Sequence, residues 1–374
     1  MAAVSIENLG EALRRAYPEL DRVRGVGGKA PVYVVGGAVR DLLLGKGRAD
    51  LDLVVVGDAA ALASGLGAEV VEHERFATAK VRLAEHEVDL ATARTESYQR
   101  PGALPDVEPA GSIEEDLGRR DFSVNAMALP LTEEPRLIDP HSGRADLELR
   151  QLRVLHERSF VDDPTRALRA ARYAARFGFV LEPKTEALLR TTDLSTVSVE
   201  RREAELLRLA AEETAPIGFE LLGAWGLIEL RPGGVELARR VAALLARQPW
   251  RDRAPRSRAV LAAAAGRPGG EEELAQARPD RPSAAVRVAR RHSPVELVLA
   301  RAMGAEWLDR FVSEWNTVGL EIDGGDLIAA GVPEGPALGR GLTAALRRKL
   351  DGEIAGRDEE LAAALAAAGE EGED

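Results

Sequence analysis

Val32-Tyr33-Val34-Val35-Gly36-Gly37-Ala38-Val39-Arg40-Asp41 and, shortly after it, Asp50-Leu51-Asp52-Leu53-Val54-Val55-Val56 are the stretches on which the fold turns. The first is a β-type run ending in a glycine pair that opens a helix through Leu44. A glycine pair lets backbone N–H groups approach a phosphate, the helix N-terminus favours the anion, and Arg40 can add a charge-assisted bond. The same pattern also makes a plain turn. It is not a Gly-x-Gly-x-x-Gly fingerprint, and no Gly-Lys-Ser/Thr loop follows. In the second stretch, residues two apart on a strand share a face, so Asp50 and Asp52 aim both carboxylates at one point. Like charges there repel unless a cation sits between them, and hard oxygen ligands suit Mg²⁺. A strand edge meeting solvent is the alternative, weakened by the apolar Leu51 and Leu53–Val56.

Upstream, residues 5–17 read as an amphipathic helix with Ile6, Leu9, Leu13 and Tyr17 on one side, ended by Pro18, with Gly25, Gly27 and Gly28 in the loop beyond. Downstream, Val70–Glu72 and one long run from Lys80 to Leu90 read as strands of a sheet with one covered face. Asp89 in that run is a candidate third carboxylate or a strand-end turn former. Between Arg94 and Gly111 lie Pro101, Pro105, Pro109 and two glycines without periodicity, which predicts a long loop of the kind that serves as a lid. After about residue 150 the chain becomes Leu/Ala/Arg/Glu-rich with helical period. Breaks at Pro183, Pro216, Arg231-Pro232-Gly233-Gly234, Gly266–Gly270 and Pro294 separate successive helices. The expected fold class is α+β: an N-terminal domain with a mixed β-sheet, then an all-helical arm. The acidic end Glu370–Asp374 is expected to be disordered.

Two further clusters carry charge. In Arg119-Arg120-Asp121-Phe122-Ser123-Val124-Asn125, Asp121 reads as a helix cap, or Arg120 as a triphosphate ligand with Asp121 or Asn125 on ribose hydroxyls. In Asp162-Asp163-Pro164-Thr165-Arg166, acids before the proline start a helix that Gly178 closes. Arg166, Arg169, Arg172 and Arg176 fall within roughly a 120° arc of it, opposite Leu168, Ala171 and Ala175. Such a stripe is a solvated face, or, having no acid at i+4, an anion site.

The 374 residues are 45% hydrophobic and 30% charged, with a net charge of −12 and no cysteine. That length predicts two or more domains. Zero cysteine excludes disulfides, thiolate metal sites and cysteine nucleophiles. The start of the chain does not read as a signal peptide, and no apolar run is long enough to span a membrane. A soluble, cytoplasmic protein is expected. The acidic balance argues against nucleic acid as a partner, yet it hides an asymmetry: Arg239 to Arg310 holds 15 arginines against 8 acidic residues. Arg247, Arg251, Arg253, Arg256, Arg258, Arg287, Arg290 and Arg291 lie there, with Trp250 and Trp307 nearby. A helical body with that stripe can hold a structured RNA by its phosphates, or be a solvated face.

In this order, the segments resemble the class II tRNA nucleotidyltransferase (CCA-adding)/poly(A) polymerase family of the polymerase β superfamily. The matching pieces are Val35–Asp41, Asp50-x-Asp52, Glu114-Glu115-Asp116-Leu117 into Arg119-Arg120-Asp121-Phe122, and Asp139-Pro140 with Gly143. Asp162-Asp163-Pro164-x-Arg166-x-x-Arg169-x-x-Arg172-Tyr173, Ser198-x-Glu200-Arg201 with Glu205-Leu206, and Gly325-Asp326-Leu327 with Gly331 and Gly335-Pro336 complete the set. The resemblance implies a nucleotidyltransferase head over residues 1–150, a helical neck over 151–215 for base recognition, a helical body over 216–275 and a tRNA-binding helical tail over 276–374. It implies Asp50 and Asp52 as catalytic ligands of Mg²⁺. Gly36, Gly37, Arg40, Arg120, Asp121, Asn125, Arg169 and Arg172 are implied as nucleotide contacts, and Asp163 with Arg166 as the pair that reads the base. Where the family carries Glu-Asp this chain has Asp162-Asp163. None of the five histidines precedes an Asp, so the metal phosphohydrolase domain of some relatives is not indicated.

The implied reaction is template-independent addition of C and A to the 3′ end of tRNA from CTP and ATP, by two-metal nucleotidyl transfer. The implied partners are a tRNA acceptor stem and 3′ end, with no protein partner and no membrane. An A-only or CC-only enzyme, a poly(A) polymerase, and a non-catalytic RNA-binding relative are the alternatives; a third class is a nucleotide-binding regulator. The base-reading pair has its own logic. Cytosine and adenine each present an amine donor beside a ring-nitrogen acceptor, which an aspartate and an arginine complement. Uracil and guanine set a carbonyl against the carboxylate and are refused.

Overall fold

The computed structural model describes residues 8–26, 30–46, 50–66, 71–73, 78–83 and 86–369. The expectations for Ile6, Gly27, Gly28, Val70 and Glu370–Asp374 lie outside the described residues. The N-terminal periodicity folds as α1 (Leu9–Ala16), which buries Leu9 and Leu13, and Tyr17 follows it into the core. Beyond Pro18 comes α2 (Leu20–Val26). The glycine-pair stretch is then strand, turn and helix, as read: β1 (Val32–Val35), Gly36 at φ 66°, and α3 (Gly37–Leu43). The second stretch gives β2 (Leu51–Val55), and Asp58 caps α4 (Ala59–Gly65) by accepting from the Ala61 N–H.

β3 (Val71–His73), β4 (Thr78–Leu83) and β5 (His86–Thr92) follow. The single long strand read from Lys80 to Leu90 is therefore a hairpin, with β4 and β5 antiparallel and Lys80 opposite Asp89. Its buried positions change from odd (Val81, Leu83) to even (Val88, Leu90) across the turn, a phase break that a single strand does not allow. β8 (Ala128–Pro130) completes a six-stranded mixed sheet in the order β3-β4-β5-β2-β1-β8. Among the described strands of this sheet only β2 and β5 pair in parallel, with Asp52 beside Asp89.

Period-two alternation divides the sheet's faces. Val32, Val34, Leu51, Leu53, Val55, Val88 and Leu90 join the main core with α1 to α4. Val35 and Val54 face a smaller cluster with Ile113, Leu117 and Ala126. Asp52 shares the Val54 face, so the carboxylates look away from the main core.

The expected lid over 94–111 is not structureless. It is an antiparallel ribbon, β6 (Arg94–Ser97) and β7 (Asp106–Pro109), that pairs with itself and not with the main sheet. Its strands are polar on both sides, which left no hydrophobic alternation to read. Ser112 then caps α5 (Ile113–Gly118). The helix start expected at Asp121 does not form; Ser123–Asn125 is a single 3₁₀ turn. After α6 (Gly143–Glu148) come α7 (Ser159–Asp162) and α8 (Thr165–Phe177). Asp163 starts α8 by accepting from the Thr165 N–H, and Gly178, in the left-handed region, closes it as expected. α9 (Pro183–Leu189) and α10 (Val199–Ala211) follow.

The chain divides into two compact units, Met1–Leu209 with Glu220–Ile228, and Ala210–Phe219 with Glu229–Asp374. The first holds the sheet, the helices through α9 and α10 as far as Leu209. Among the described residues the second is helical throughout, with helices starting at Gly234 and Pro294 and one ending before Gly266, where breaks were read. Its last three helices enclose Ile322, Leu327, Ala345, Ile354 and Ala364. No helix among the described residues is long and apolar enough to cross a membrane.

Candidate active site

One cleft of about 710 Å³ in the first unit is lined by Gly36, Gly37, Arg40, Asp50, Asp52, Arg120, Asp121, Asn125, Asp163, Arg166, Arg169 and Arg172, the residues expected to hold the metal and the nucleotide. The sheet supplies one wall and α8 the other. Residues more than a hundred positions apart thus meet because the β1–α3 turn and the first turns of α8 open on the same space.

The sheet wall is acidic. Asp50 immediately precedes β2 and Asp52 lies within it, two residues on and so on the same face. Burial pushes the Asp52 carboxyl up to about 6; Arg120 pulls it down, and Asp89 and Asp50 push it further up. A carboxylate crowded by two others is a site that a cation would relieve. Asp89 does not line the cleft and forms an ion pair with Lys80 at 3.5 Å. Among the described residues no cluster of three or more His, Cys, Asp or Glu groups suits a metal ion. Asp50 and Asp52 are the pair the protein offers, and two hard oxygen donors fit Mg²⁺.

A buried chain of hydrogen bonds joins the two walls. The Arg40 guanidinium, 4% exposed, donates to Asp41 Oδ1 at 2.8 Å and to Asn125 Oδ1 at 2.6 Å. It also lies over the Phe177 ring, 4.4 Å from the centroid. Asn125 Nδ2 donates to Asp121 Oδ1 at 2.9 Å, and Arg169 donates to Asp121 Oδ2 through Nε and Nη2. Burial alone would raise the Asp121 pKa, but Arg169 and the Asn125 hydrogen bond outweigh it and hold the carboxyl at about 2. Burial works against the Arg169 charge too, and Asp121 beside it raises its pKa nonetheless. Asp121 and Asn125, expected on the ribose, thus spend their side chains on Arg169 and Arg40.

Gly36 has two reasons to be glycine. Its φ is 66°, and a Cβ would stand 2.8 Å from Arg120 Nη1. Its own N–H donates to the Met127 carbonyl. Arg120 donates to Asp116 Oδ2 at 3.0 Å, while its Nε is buried without a hydrogen-bond partner. A buried guanidinium N–H left open beside a glycine turn is a donor waiting for an acceptor.

Toward the start of α8, Asp163 Oδ1 accepts from the Thr165 N–H and hydroxyl and from Arg201 Nη2 at 2.9 Å, leaving Oδ2 without a partner among the described residues. Arg166, 5% exposed, donates to Ser159 Oγ at 2.7 Å and to the Arg119 carbonyl at 2.8 Å. Asp162 accepts from Arg158 at 3.0 Å.

Arg201 also donates to the carbonyl of Gly102, at the tip of the ribbon, at 2.7 Å. Gly102 is at φ 69°, and a Cβ there would fall 2.5 Å from the Thr196 carbonyl oxygen. At the base of the ribbon, Glu96 accepts from Arg94, Arg119 and Tyr98. Arg119 also donates to Asp116, whose pKa Arg120 and Arg119 lower against the effect of burial.

The arginine stripe of α8 faces the cleft as expected, but it is not short of acids. They come from other elements: Asp121 for Arg169, Glu205 within 3.8 Å of Arg169 and 3.9 Å of Arg172, and Asp41 at 3.9 Å from Arg176. A search for i+4 partners on the same helix could not find them. Glu96, Tyr98, Arg201, Glu205 and Arg208 also line the cleft without having been assigned a role there. Arg201 and Glu205 stood only among the segments that carry the family resemblance.

In the second unit, Arg251, Arg253, Arg258, Arg287, Arg290 and Arg291 are exposed and form no ion pair among the described residues, and the exposed Arg247 helps to lower the Asp309 pKa. Arg256 is half-buried and donates to the Ala242 carbonyl. Trp250 is no stacking platform: it is buried in that unit and donates to Asp309 at 2.7 Å. Arg281, Arg287, Arg290 and Arg347 line a groove of about 650 Å³.

Residues 32–153 match the family model described as the poly A polymerase head domain. The CC-adding tRNA nucleotidyltransferase of Deinococcus radiodurans is 36% identical over 373 residues, covering 95% of this chain and 91% of that protein. The A-adding tRNA nucleotidyltransferase of Halalkalibacterium halodurans is 46% identical over 199 residues, 50% of this chain and 46% of that one. The chain spans less than half the length of the A-adding relatives it matches. A solved structure of the Thermotoga maritima CCA-adding enzyme complexed with tRNA superposes with a TM-score of 0.70 at 26% identity, covering 98% of this chain and 99% of that one.

Proposed function

Because the chain belongs to the tRNA nucleotidyltransferase/poly(A) polymerase family, we propose that it adds C and A to the 3′ end of tRNA from CTP and ATP. The observation that carries the reading is the meeting, in one cleft, of a paired-carboxylate strand, a glycine turn with Arg40, and the Asp163/Arg166 pair. The RNA 3′-oxygen forms a bond to the α-phosphorus as the bond to pyrophosphate breaks, and the hydroxyl proton is released. Asp50 and Asp52 would hold Mg²⁺, which when bound stabilises the attacking and leaving oxygens. Arg40, with Asp41, Asn125 and Phe177 fixing its plane, meets the phosphates beside Gly36 and Gly37. Arg120 offers its open Nε to a phosphate oxygen. The free Oδ2 of Asp163 accepts from the amine of cytosine or adenine, and Arg166, held by Ser159 and Arg119, donates to the ring nitrogen.

Residues 1–150 act as the head, 151–215 as the base-reading neck, 216–275 as the body and 276–374 as the tail. The exposed arginines of the second unit hold the acceptor stem by its phosphates. A protein working on tRNA with CTP and ATP belongs in the cytoplasm. The 36% identity with a CC-adding enzyme across nearly the whole chain favours CC-only addition as the second reading. The test offers tRNA lacking CCA, tRNA lacking only the terminal A, and an unrelated RNA, each with one labelled nucleotide and Mg²⁺. Addition of CCA is expected, a stop at CC establishes the second reading, and UTP incorporation comparable to CTP sinks both.

A further inference from the structure

A second cavity of the first unit, about 210 Å³, lies beside the start of α8 and shares no lining residue with the cleft. Its walls are apolar: Pro101 from the ribbon tip, Phe160 and Val161 from α7, Pro164 ahead of α8 and Leu188 from α9. Val161 is 42% exposed, and apolar surface left open around a cavity is what the body of a ligand covers. The charge here has one sign. Glu157 and Asp193 line the cavity, are exposed, and form no ion pair among the described residues. Hydrogen bonds from the Ser195 side chain and N–H hold the Asp193 carboxyl below its usual range. No basic residue lines the cavity among the described residues: Arg158 pairs with Asp162 and Arg190 with Glu186, and Arg100, next to Pro101, is not part of the wall. Thr192 lines it too, and its Oγ1 is buried without a hydrogen-bond partner.

Two carboxylates without a counter-charge repel an anion, so neither a phosphate nor an RNA backbone suits this cavity. A bare metal ion makes no use of apolar walls. A cation with an apolar body fits both features: the body rests on Phe160, Val161 and Leu188, and its N–H groups donate to the carboxylates and to the Thr192 hydroxyl. The position gives such a ligand a consequence. The Val161 carbonyl accepts from the Gly102 N–H at 3.3 Å, and Thr196, another lining residue, lies against Gly102. A filled cavity therefore touches the ribbon tip, α7 and the segment after α9 at once.

We propose that this cavity binds a small organic ammonium ion, an amine on an aliphatic or aromatic body, and that its occupant holds the tip of the β6–β7 ribbon against α7.

The experiment titrates the full chain by calorimetry with benzylamine, benzyl alcohol and benzoate, which share a ring and differ in charge. Benzylamine is expected to bind about tenfold more tightly than the alcohol, and benzoate not to bind. Glu157→Gln with Asp193→Asn keeps the shape of both side chains and removes the advantage of the amine over the alcohol. Were that double variant not to fold, Glu157→Gln alone carries the test with a smaller loss. Bound benzylamine is also expected to slow limited proteolysis between residues 99 and 105 in the wild type and not in the double variant. Equal affinity for amine and alcohol, or no benzylamine binding up to about 10 mM, overturns the site. So does a benzylamine affinity that the substitutions leave unchanged, because the amine then sits on acids elsewhere, such as Asp50 and Asp52. Cleavage that bound benzylamine does not slow overturns the hold on the ribbon. None of these readouts depends on nucleotide addition, so they stand or fall apart from the nucleotidyltransferase reading.

Discussion

The Arg201 guanidinium donates to Oδ1 of Asp163 at 2.9 Å across 38 positions of sequence. The same side chain reaches the Gly102 carbonyl, so the carboxylate that reads the base is tied to the tip of the β6–β7 ribbon. Arg201→Ala frees that carboxylate to rotate. The preference for CTP and ATP over UTP and GTP is expected to fall about tenfold, with Arg201→Lys restoring part of it. Single-turnover rates with the four nucleotides measure it, and an unchanged preference would show that Thr165 alone is enough to hold Asp163.

Asp52 sets a pH dependence. Its carboxyl stands at about 6 in the folded chain, above the ordinary aspartate value of 3.8. The folded chain without metal therefore binds this proton more tightly than the unfolded chain. The resulting stabilisation is complete below about 3.8 and is lost as pH rises through about 6. Asp52→Asn removes the charge, so in chelator it raises Tm relative to wild type at pH 8. That gap closes as the buffer is taken below pH 6. The variant loses nucleotide addition at every pH. A gap independent of pH, measured by calorimetry, would contradict the shift.

Asn125 is the link between Arg40 and Asp121. Asn125→Ala leaves one N–H of the buried Arg40 guanidinium unsatisfied and takes one of two donors from Asp121 Oδ1, which keeps the Phe122 N–H, at a cost of about 2 kcal/mol. Urea denaturation reads the loss. The KM for CTP should rise more than kcat falls, because both walls of the nucleotide cleft loosen while Asp50 and Asp52 stay in place.

Gly102→Ala places a methyl group into the Thr196 carbonyl oxygen and strains a positive φ. The tip is expected to lift, giving faster limited proteolysis between residues 99 and 105 with little change in Tm. Equal cleavage rates would mean that the neighbouring backbone yields instead.

Arg287→Ala and Arg290→Ala remove exposed cations from the second unit. Each arginine that touches a phosphate contributes about 0.7 to 0.9 to the slope of log affinity against log salt. Binding of tRNA titrated over a range of KCl should lose about that much slope per contact removed, without a change in nucleotide preference. An unaltered slope would place the RNA elsewhere.

The glycine turn and the two-residue spacing of Asp50 and Asp52 were legible because each is a local rule: a positive φ, and a strand's alternation. So was the α8 stripe, since its period is that of a helix. What stayed hidden was non-local. The Lys80–Leu90 run changes phase between Leu83 and Val88, a single break that does not by itself distinguish a bulge from a chain reversal. The β6–β7 ribbon has no apolar face, so its strands carry no hydrophobic signal. The acids that answer the stripe sit on α3, ahead of the 3₁₀ turn and on α10, and nothing in their own neighbourhoods marks them as partners of Arg176, Arg169 and Arg172. The bonds that tie Asp121 to Arg169 and Asn125 to Arg40 stayed hidden for the same reason: only the folded chain brings these partners together.

The β6–β7 ribbon pairs only with itself, and most of its side chains between Ser97 and Asp106 reach solvent. A strand inside the main sheet would transmit any change to the core, whereas this ribbon is insulated from it. Its anchors are few: Arg94 and Glu96 at the base, Gly102 at the tip. The remaining positions are free to drift over generations, or to be exchanged as a cassette between relatives, without retuning the hydrophobic interior. The part of the molecule that touches the base-reading carboxylate from outside is thus also the part that lineage change or grafting can rewrite most cheaply.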